Sequence, residues 1–242
     1  MKIGIFADAH NNAVALEAVL RTLEGEKCDI LACAGDIIGI GPWPEETVQR
    51  LMRIPNLIAV RGNHERYLLE GMPPATCPND EGMDEAEMAY HRWEHGRLSA
   101  ASVAFLRALP DRADLEAHDR RIAVMHYGMD CDRRLGPFTP QPDEDDLCRL
   151  FPDAQDAVLY GHDHARSIRR AGETWFVNCG ALGCPGAQRN IARAAVLDIA
   201  PDGRMDVRSI DIPYDVARVL DEIARLDYPA ASDIRRFFFG VG

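Results

Sequence analysis

The stretch MKIGIFADAHNNAVALEAVLRTLEGEKCDILACAGD, residues 1–36, sets the pattern of the first part of the chain. An apolar run is followed by a segment with apolar side chains at helical spacing and then by a second apolar run. A further helix and a further strand come next, so the predicted elements lie at residues 2–7, 13–23, 29–34, 45–52 and 57–60. Strand, helix, strand, helix, strand predicts a parallel sheet with right-handed crossovers, and the fold class is therefore α/β.

The remainder of the chain departs from this alternation. Residues 71–118 begin with a segment rich in Pro, Gly and acids and continue with two helical patterns, at 85–95 and 99–109. We interpret this region as a cap-like insertion within a single domain of residues 1–242. A polar, Pro-rich loop is expected at residues 128–146. Short strands are predicted at 121–125, 157–160, 167–170, 174–177, 194–199 and 205–209, and helices at 216–226 and 232–238.

Composition bounds the class of protein. The chain has 242 residues, of which 47% are hydrophobic and 27% charged, as in ordinary soluble globular proteins. Its net charge of −12 provides no basic field that would recruit nucleic acid. The first residues read as a strand and not as a secretory signal, and no apolar segment is long enough to span a membrane. Seven scattered cysteines without a C-x-x-C pair suit a reducing compartment, so a cytoplasmic location is expected.

Polar side chains follow five of the predicted strands. They are Asp8 and His10, Asp36, Asn63 and His64, His126, and His162 and His164. Each motif alone has a structural explanation, as a turn, a helix cap or a core histidine. In an open α/β sheet, however, ligands bind beyond the carboxyl ends of the strands, and five of the eight histidines fall at such positions. We expect these side chains to converge.

The chemistry of this set indicates a metal centre. Imidazole, carboxylate and amide oxygen without thiolate suit manganese, iron, zinc or cobalt. The ligands are too many for one tetrahedral ion, whereas two divalent ions roughly 3.5–4 Å apart would use all of them if one carboxylate bridged.

Taken together, the motifs resemble the calcineurin-like metallophosphoesterase superfamily, and in particular its small bacterial and archaeal phosphodiesterases. The motifs are D-x-H at 8–10, GD at 35–36, GNHE at 62–65, the strand-final His126 and GH-x-H at 161–164. The segment NCGALGCPG at 178–186 is similar to a later Gly-rich turn of the family. The resemblance implies a four-layer α-β-β-α sandwich of two mixed sheets carrying a helical cap insertion.

The resemblance also implies a role for each residue. One ion would be held by Asp8, His10, Asp36 and His164, and the other by Asp36, Asn63, His126 and His162. Asp36 would bridge the two ions, and a hydroxide bridging them would attack phosphorus. His64 is not a ligand in the family; it would face the substrate as a catalytic acid or charge stabiliser. The implied activity is dimetal-dependent hydrolysis of phosphoesters.

One departure from relatives bears on the substrate. Protein phosphatases of the superfamily carry Asp-Arg-Gly shortly after the Gly-Asp motif, where this chain has Gly39-Ile40-Gly41. The arginine that clamps a phosphate is therefore missing, as is the aspartate that would pair with His64. This favours a small phosphodiester or phosphomonoester, such as a nucleotide. Arg61 either substitutes for the clamp or is structural. The alternatives are a protein or dinucleoside polyphosphate phosphatase and a non-catalytic metal-binding scaffold.

Four further side chains have two interpretations each. His91 and His95, at helical spacing i, i+4, would bind a metal or lie on a solvated helix face, and we favour the solvated face. Trp43 and Tyr127 would stack on a nucleobase or pack in the core. The sequence leaves open the oligomeric state and the role of the insertion.

Overall fold

The computed structural model describes residues 1–74, 82–130, 135–184 and 188–241. The predicted Gly-rich turn at 178–186 and the loop at 128–146 therefore lie partly outside the described residues. The strands are β1 Lys2–Phe6, β2 Ile30–Cys33, β3 Leu57–Ala59, β4 Arg112–Ala117, β5 Arg120–Met125, β6 Ala157–Tyr160, β7 Ser167–Ala171, β8 Thr174–Asn178, β9 Ile191–Ile199 and β10 Met205–Pro213. The helices are α1 Ala13–Gly25, α2 Pro44–Leu51, α3 Asn63–Glu70, α4 Glu85–His95, α5 Ala100–Ala108, α6 Glu144–Leu150, α7 Val216–Leu226 and α8 Ala231–Phe239.

The strands form two mixed sheets of five strands each. The first has the order β10-β9-β1-β2-β3, in which β1, β2 and β3 are parallel, as the sequence predicts. The second has the order β4-β5-β6-β8-β7, in which β5, β6 and β8 are parallel and the edge strands are antiparallel. The parallel strands of the second sheet lie inside it, whereas the parallel strand β3 forms one edge of the first sheet.

Alternating side chains bury both faces of the sheets. Ile5 of β1 packs between the two sheets with Val124 of β5 and Leu159 of β6. The other face of the first sheet packs against the helices through a core that includes Leu16 of α1 and Ile223 of α7. The outer face of the second sheet packs against α6. The layers are thus α-β-β-α, and the expected four-layer sandwich is confirmed.

Two elements escaped the sequence analysis. Strand β4, residues 112–117, lies within the segment interpreted as an insertion and pairs with β5 at the edge of the second sheet. Charged and apolar residues alternate along it, which is the pattern of an edge strand, but the segment is only six residues long and was assigned to the insertion. Helix α6 begins inside the predicted loop, where the side chain of Asp143 accepts a hydrogen bond from the Asp146 N–H. Only Leu147 of this helix is buried, which is too little for a readable helical period.

Helices α4 and α5 pack beside the first sheet. Tyr90 of α4 and Leu106 of α5 join the core on its helix side. The ring of Trp93 stacks on Tyr228 at a centroid distance of 4.5 Å, which ties α4 to the segment between α7 and α8. Among the described residues, none of the helices combines the length and the hydropathy needed to cross a bilayer.

Candidate metal centre

The predicted ligands meet where the parallel strands of both sheets end. Asp8 and His10 follow β1, Asp36 follows β2, Asn63 opens α3 after β3, His126 follows β5, and His162 and His164 follow β6. The side chains form two adjoining groups. In the first, His10 Nε2 lies 2.9 Å from His164 Nε2 and 3.7 Å from Asp36 Oδ2. Asp8 Oδ1 lies 4.0 Å from His164 Nε2.

The second group gathers around the amide of Asn63. Its Oδ1 lies 3.0 Å from His126 Nε2 and 3.1 Å from His162 Nδ1. His126 Nε2 is also 3.3 Å from Asp36 Oδ2. The same oxygen of Asp36 therefore faces both groups. Its other oxygen, Oδ1, accepts the backbone N–H of His64 at 3.0 Å, which leaves Oδ2 in the position that a bridging ligand requires.

The donor set fits cations. His10 donates from Nδ1 to the carbonyl of Ile38 at 3.1 Å, and His126 donates from Nδ1 to the carbonyl of Ala34 at 2.8 Å. In a neutral imidazole the other nitrogen, Nε2, then carries a lone pair. The Nε2 of His10 lies beside His164 Nε2 and Asp36 Oδ2, and a neutral His126 would likewise place its lone pair beside the acceptors Asp36 Oδ2 and Asn63 Oδ1. Asp8 Oδ2 is buried and has no hydrogen-bond partner among the described residues. Acceptors that face one another in a buried site call for positive charge between them.

Burial and the close approach of the ionisable groups to one another also shift the pKa values of these residues. Burial raises the pKa of Asp8 to about 7, although His126 attracts the charged form. Burial also opposes ionisation of Asp36, but the imidazoles around it, His126 foremost, hold its pKa well below the usual range. Burial alone would lower the pKa of His126, yet Asp36 raises it to about 9. His162 and His164 have pKa values lowered by burial to about 3 and about 4, so both are neutral at pH 7 and free to bind a metal.

The backbone at these positions is unusual. Five of the seven predicted ligands have a positive φ: Asp8, His10, Asp36, His162 and His164. Residues other than glycine adopt a positive φ infrequently, and those that do cluster at functional sites. Hydrogen bonds between strand ends hold the conformation, among them Asp8 N–H to the Gly35 carbonyl and His10 N–H to the Asp36 carbonyl, both at 3.0 Å. No sequence pattern reveals this strain.

Glu65, the last residue of the GNHE motif, organises the loops around the site, a role that the motif alone did not predict. Its carboxylate is fully buried and accepts backbone N–H bonds from Asp36, Ile37, Ile38 and Gly62 at 2.7–3.1 Å. It thereby fixes the loop after β2, which carries the bridging carboxylate, to the start of α3. The signal was present, because a glutamate at the third position of a helix commonly bonds backwards to the cap.

His64 borders both groups. Its Nε2 lies 3.9 Å from Asp36 Oδ2, and its Nδ1 is buried without a hydrogen-bond partner in the described parts of the chain. Nδ1 rests against Gly39, where a Cβ would lie 2.2 Å away, so only glycine fits there. Burial lowers the pKa of His64 to about 4, against the attraction of Asp36. The ring is thus neutral at pH 7 in the metal-free protein.

The preference for a solvated His91 was wrong. The His91 side chain is 1% exposed, and its ring lies 5.2 Å from the ring of His64. Its Nδ1 bonds the buried Glu94 carboxylate at 2.7 Å. Glu94 also accepts from Asn11 Nδ2 at 2.6 Å and from the Gly39 N–H at 2.8 Å. Helix α4 therefore reaches the site, and its distance along the sequence from the metal motifs hid this role.

For Tyr127, Trp43 and Arg61, the observed contacts support a structural role. Tyr127 is fully buried, and its hydroxyl accepts the Thr139 N–H at 3.0 Å. Trp43 packs on the helix-side core, with the Arg218 guanidinium 5.8 Å from its ring. Arg61 donates from Nε to Asp111 Oδ1 at 2.9 Å, an ion pair that gives it a structural role.

Comparisons with known proteins agree with the fold and identify the family. The family model of the calcineurin-like phosphoesterase superfamily domain matches residues 1–202. A hypothetical protein from Pyrococcus horikoshii OT3 superimposes with a TM-score of 0.81 at 18% identity, covering 100% of this chain and 99% of that one. A metallophosphoesterase from Sphaerobacter thermophilus gives a TM-score of 0.74 at 24% identity over 100% of both chains. A putative diadenosine tetraphosphatase gives 0.56 at 19% identity, covering 87% of this chain and 93% of that one.

The family match covers most of the chain and includes every motif on which the site depends. The chain therefore belongs to the calcineurin-like phosphoesterase superfamily and is a metal-dependent phosphoester hydrolase.

Proposed function

We propose that the protein hydrolyses phosphodiesters or small phosphomonoesters with two divalent ions that share Asp36. The observation that carries the proposal is the position of Asp36 Oδ2, 3.7 Å from His10 Nε2 in one group and 3.3 Å from His126 Nε2 in the other. Asp8, His10 and His164 would complete one ion site, and Asn63, His126 and His162 the other. Manganese, iron, zinc and cobalt all suit these donors. A cytoplasmic location remains a prediction.

Two ions bound there would lower the pKa of a bound water molecule to near neutral pH. They would also neutralise the charge of the phosphoryl oxygens. The protein's own residues hold the arrangement rigid. The N–H of His162 donates to Asp8 Oδ1 at 3.1 Å, and the N–H of His64 donates to Asp36 Oδ1. Both carboxylates are thus oriented by backbone donors before any ligand binds, and this preorganisation avoids rearrangement during the reaction.

His64 is the proposed catalytic residue. Its Nε2 is near Asp36 Oδ2 without being bonded to it, so this nitrogen can reach a phosphate ester seated at the centre. Since the ring is neutral at pH 7, it would act chiefly by donating an N–H hydrogen bond to the leaving oxygen.

The surroundings favour a diester or a small monoester over a phosphoprotein. Ile40 stands where the phosphatases have the clamping arginine, and it is 6% exposed. Arg61 is held by Asp111 and so is not a free substitute. A phosphomonoester dianion carries more charge than a diester and depends more on such a clamp.

The resemblance to a putative diadenosine tetraphosphatase makes dinucleoside polyphosphate hydrolysis the second candidate. That reaction requires cations for the additional phosphates, and neither Arg nor Lys is among the described residues lining the pocket beside His64. A scaffold without catalytic activity is a weaker alternative, because each predicted ligand position is filled and His64 is retained.

The test is hydrolysis by the manganese-loaded protein of bis(para-nitrophenyl) phosphate, a phosphoserine peptide and diadenosine tetraphosphate. The proposal predicts turnover of the diester far above that of the peptide, and its loss on treatment with a chelator. Equal or faster hydrolysis of the peptide or of the polyphosphate would overturn the assigned substrate class.

A further inference from the structure

A pocket of about 320 Å³ opens beside His64, between helix α4 and helix α8. This volume is at the lower end of the range for small-molecule sites and suits one ring system. Ile40 and His64 line its inner end, which joins it to the proposed metal centre. Phe238 of α8 also lines it, and its ring is 6.3 Å from the ring of His164, a predicted ligand of the first ion.

The walls of this pocket are largely apolar and aromatic. Tyr90 and Ala86 come from α4, and Ile234, Phe237 and Phe238 from α8. Phe237 is 64% exposed, and the Arg236 guanidinium lies 4.3 Å from the centroid of its ring. An exposed aromatic ring beside a reactive histidine provides a surface on which a flat group can stack.

The rim of the pocket is acidic. Asp84 and Glu87 lie at the start of α4, and Asp233 lies in the first turn of α8. All three are exposed. Arg236 pairs with Asp233 at 3.2 Å and lies over the Phe237 ring, but it is not among the lining residues. A group entering the pocket therefore meets more negative than positive charge.

We propose that this pocket is the leaving-group subsite and that it selects an uncharged alcohol carrying an aromatic ring. The inference rests on the proposed function, because the metal centre must hold the phosphoryl group for the ester's departing oxygen to lie beside His64. An anionic leaving group, such as the second phosphate of a polyphosphate, is repelled by the rim.

The first experiment compares two diesters with the manganese-loaded protein. One is methyl para-nitrophenyl phosphate, and the other is its analogue with a carboxylate meta to the ester oxygen. Rates are normalised to hydroxide-catalysed hydrolysis, to remove the difference in leaving-group basicity. We expect kcat/KM about tenfold higher for the uncharged ring, the size of effect given by charges several ångströms apart near a surface. Equal values, or a preference for the carboxylated ring, would overturn the inference. No metal-dependent turnover of either diester would instead overturn the proposed function.

Charge-neutral variants test the rim directly. The double variant Glu87→Gln with Asp233→Asn is expected to reduce the tenfold preference to about threefold or less. The double variant Glu116→Gln with Asp206→Asn also removes two exposed acids, on β4 and β10 outside the pocket, and is the matched control. The same reduction in the control would assign the preference to overall charge and contradict the subsite.

A pair of aromatic variants tests on which side the ring lies. Phe138 is 55% exposed, and its ring is 5.7 Å from His162, so it offers a second aromatic surface on the opposite side of the metal centre. Phe237→Ala is expected to raise KM for the uncharged diester about fivefold, as for the loss of one aromatic contact, whereas Phe138→Ala leaves it nearly unchanged. The reverse result would place the leaving group beside Phe138 and refute the proposal.

Discussion

The two ends of the β-sandwich both carry clusters of charged side chains, and they differ in the burial and the pairing of those side chains. At the end opposite the proposed metal centre, a larger cavity of about 620 Å³ is lined by residues such as Arg120, Arg204 and Asp206. Its arginines are paired with neighbouring acids, as in Arg120 with Asp156 at 2.7 Å and Arg204 with Asp202 at 2.8 Å.

At the carboxyl ends of the parallel strands, the charged and polar groups are buried and face other acceptors. Asp8 is 0% exposed with an unpartnered oxygen, and Asp36 Oδ2 faces imidazole nitrogens at 3.3 and 3.7 Å. The size of a cavity therefore does not identify the site. Buried ligand atoms that lack a hydrogen-bond partner in the described parts of the chain do identify it.

The largest effect is expected from Asp36→Asn. An amide has one carbonyl oxygen and no charge, so it cannot bridge two cations, and both ion sites should be lost together. We expect metal content to fall from two ions per chain towards zero and turnover of the diester to be abolished. Elemental analysis and initial rates measure the two losses, and circular dichroism confirms the fold. Full activity in this variant would contradict the role of Asp36.

His64→Ala is expected to have the next largest effect. Removing a donor to the leaving oxygen should lower kcat by about 10²-fold for an alkyl or nucleoside ester, at the lower end of acid-base effects because the ring is neutral. The loss should be smaller for a nitrophenyl ester, whose leaving group is already a stable anion. Metal content should be unchanged.

The pH dependence of kcat and the comparison of the two esters test the role of His64 further. Because the pKa of His64 is about 4, its ring is already neutral at pH 6, and wild-type kcat should show no fall between pH 6 and pH 8 that arises from deprotonation of His64. An equal loss on both esters would point to stabilisation of the non-bridging phosphoryl oxygens. Loss of metal would mean that His64 merely positions Asn63.

The metal-free protein should show a pH dependence of stability that the loaded protein lacks. Asp36 raises the pKa of His126 to about 9 from an ordinary value of 6.5, so this stabilisation is complete below pH 6.5 and is lost as pH rises through 9. Over that window we expect the free energy of unfolding to fall by on the order of 3 kcal/mol. Chemical denaturation with and without chelator measures the difference. A flat profile in the metal-free protein would show that His126 holds no such proton.

The smallest effect is expected at the opposite end of the sandwich. Arg204→Ala removes an 84% exposed guanidinium whose partner, Asp202, is itself 56% exposed, and such pairs add little to stability. We expect no measurable change in kcat, metal content or melting temperature. Loss of activity would mean that this end of the molecule also serves the reaction.

The sequence predicts the metal centre better than its surroundings, for a physical reason. Strand ends are read from apolar runs, and the parallel arrangement brings those ends together, so Asp8, Asp36 and His126 could be grouped in advance. The positive φ angles and the hydrogen bond from the Gly39 N–H to the Glu94 carboxylate depend on tertiary contacts between distant segments. The burial of His91 depends on how α4 packs, which helical periodicity alone does not determine.

The most direct test is an anomalous-scattering map from crystals of the manganese-loaded protein, recorded on both sides of the manganese absorption edge. Two peaks roughly 3.5–4 Å apart, on either side of Asp36 Oδ2, are the predicted result. One should lie among Asp8, His10 and His164, and the other among Asn63, His126 and His162. A single peak, or two peaks that do not share Asp36, would contradict the bridged centre.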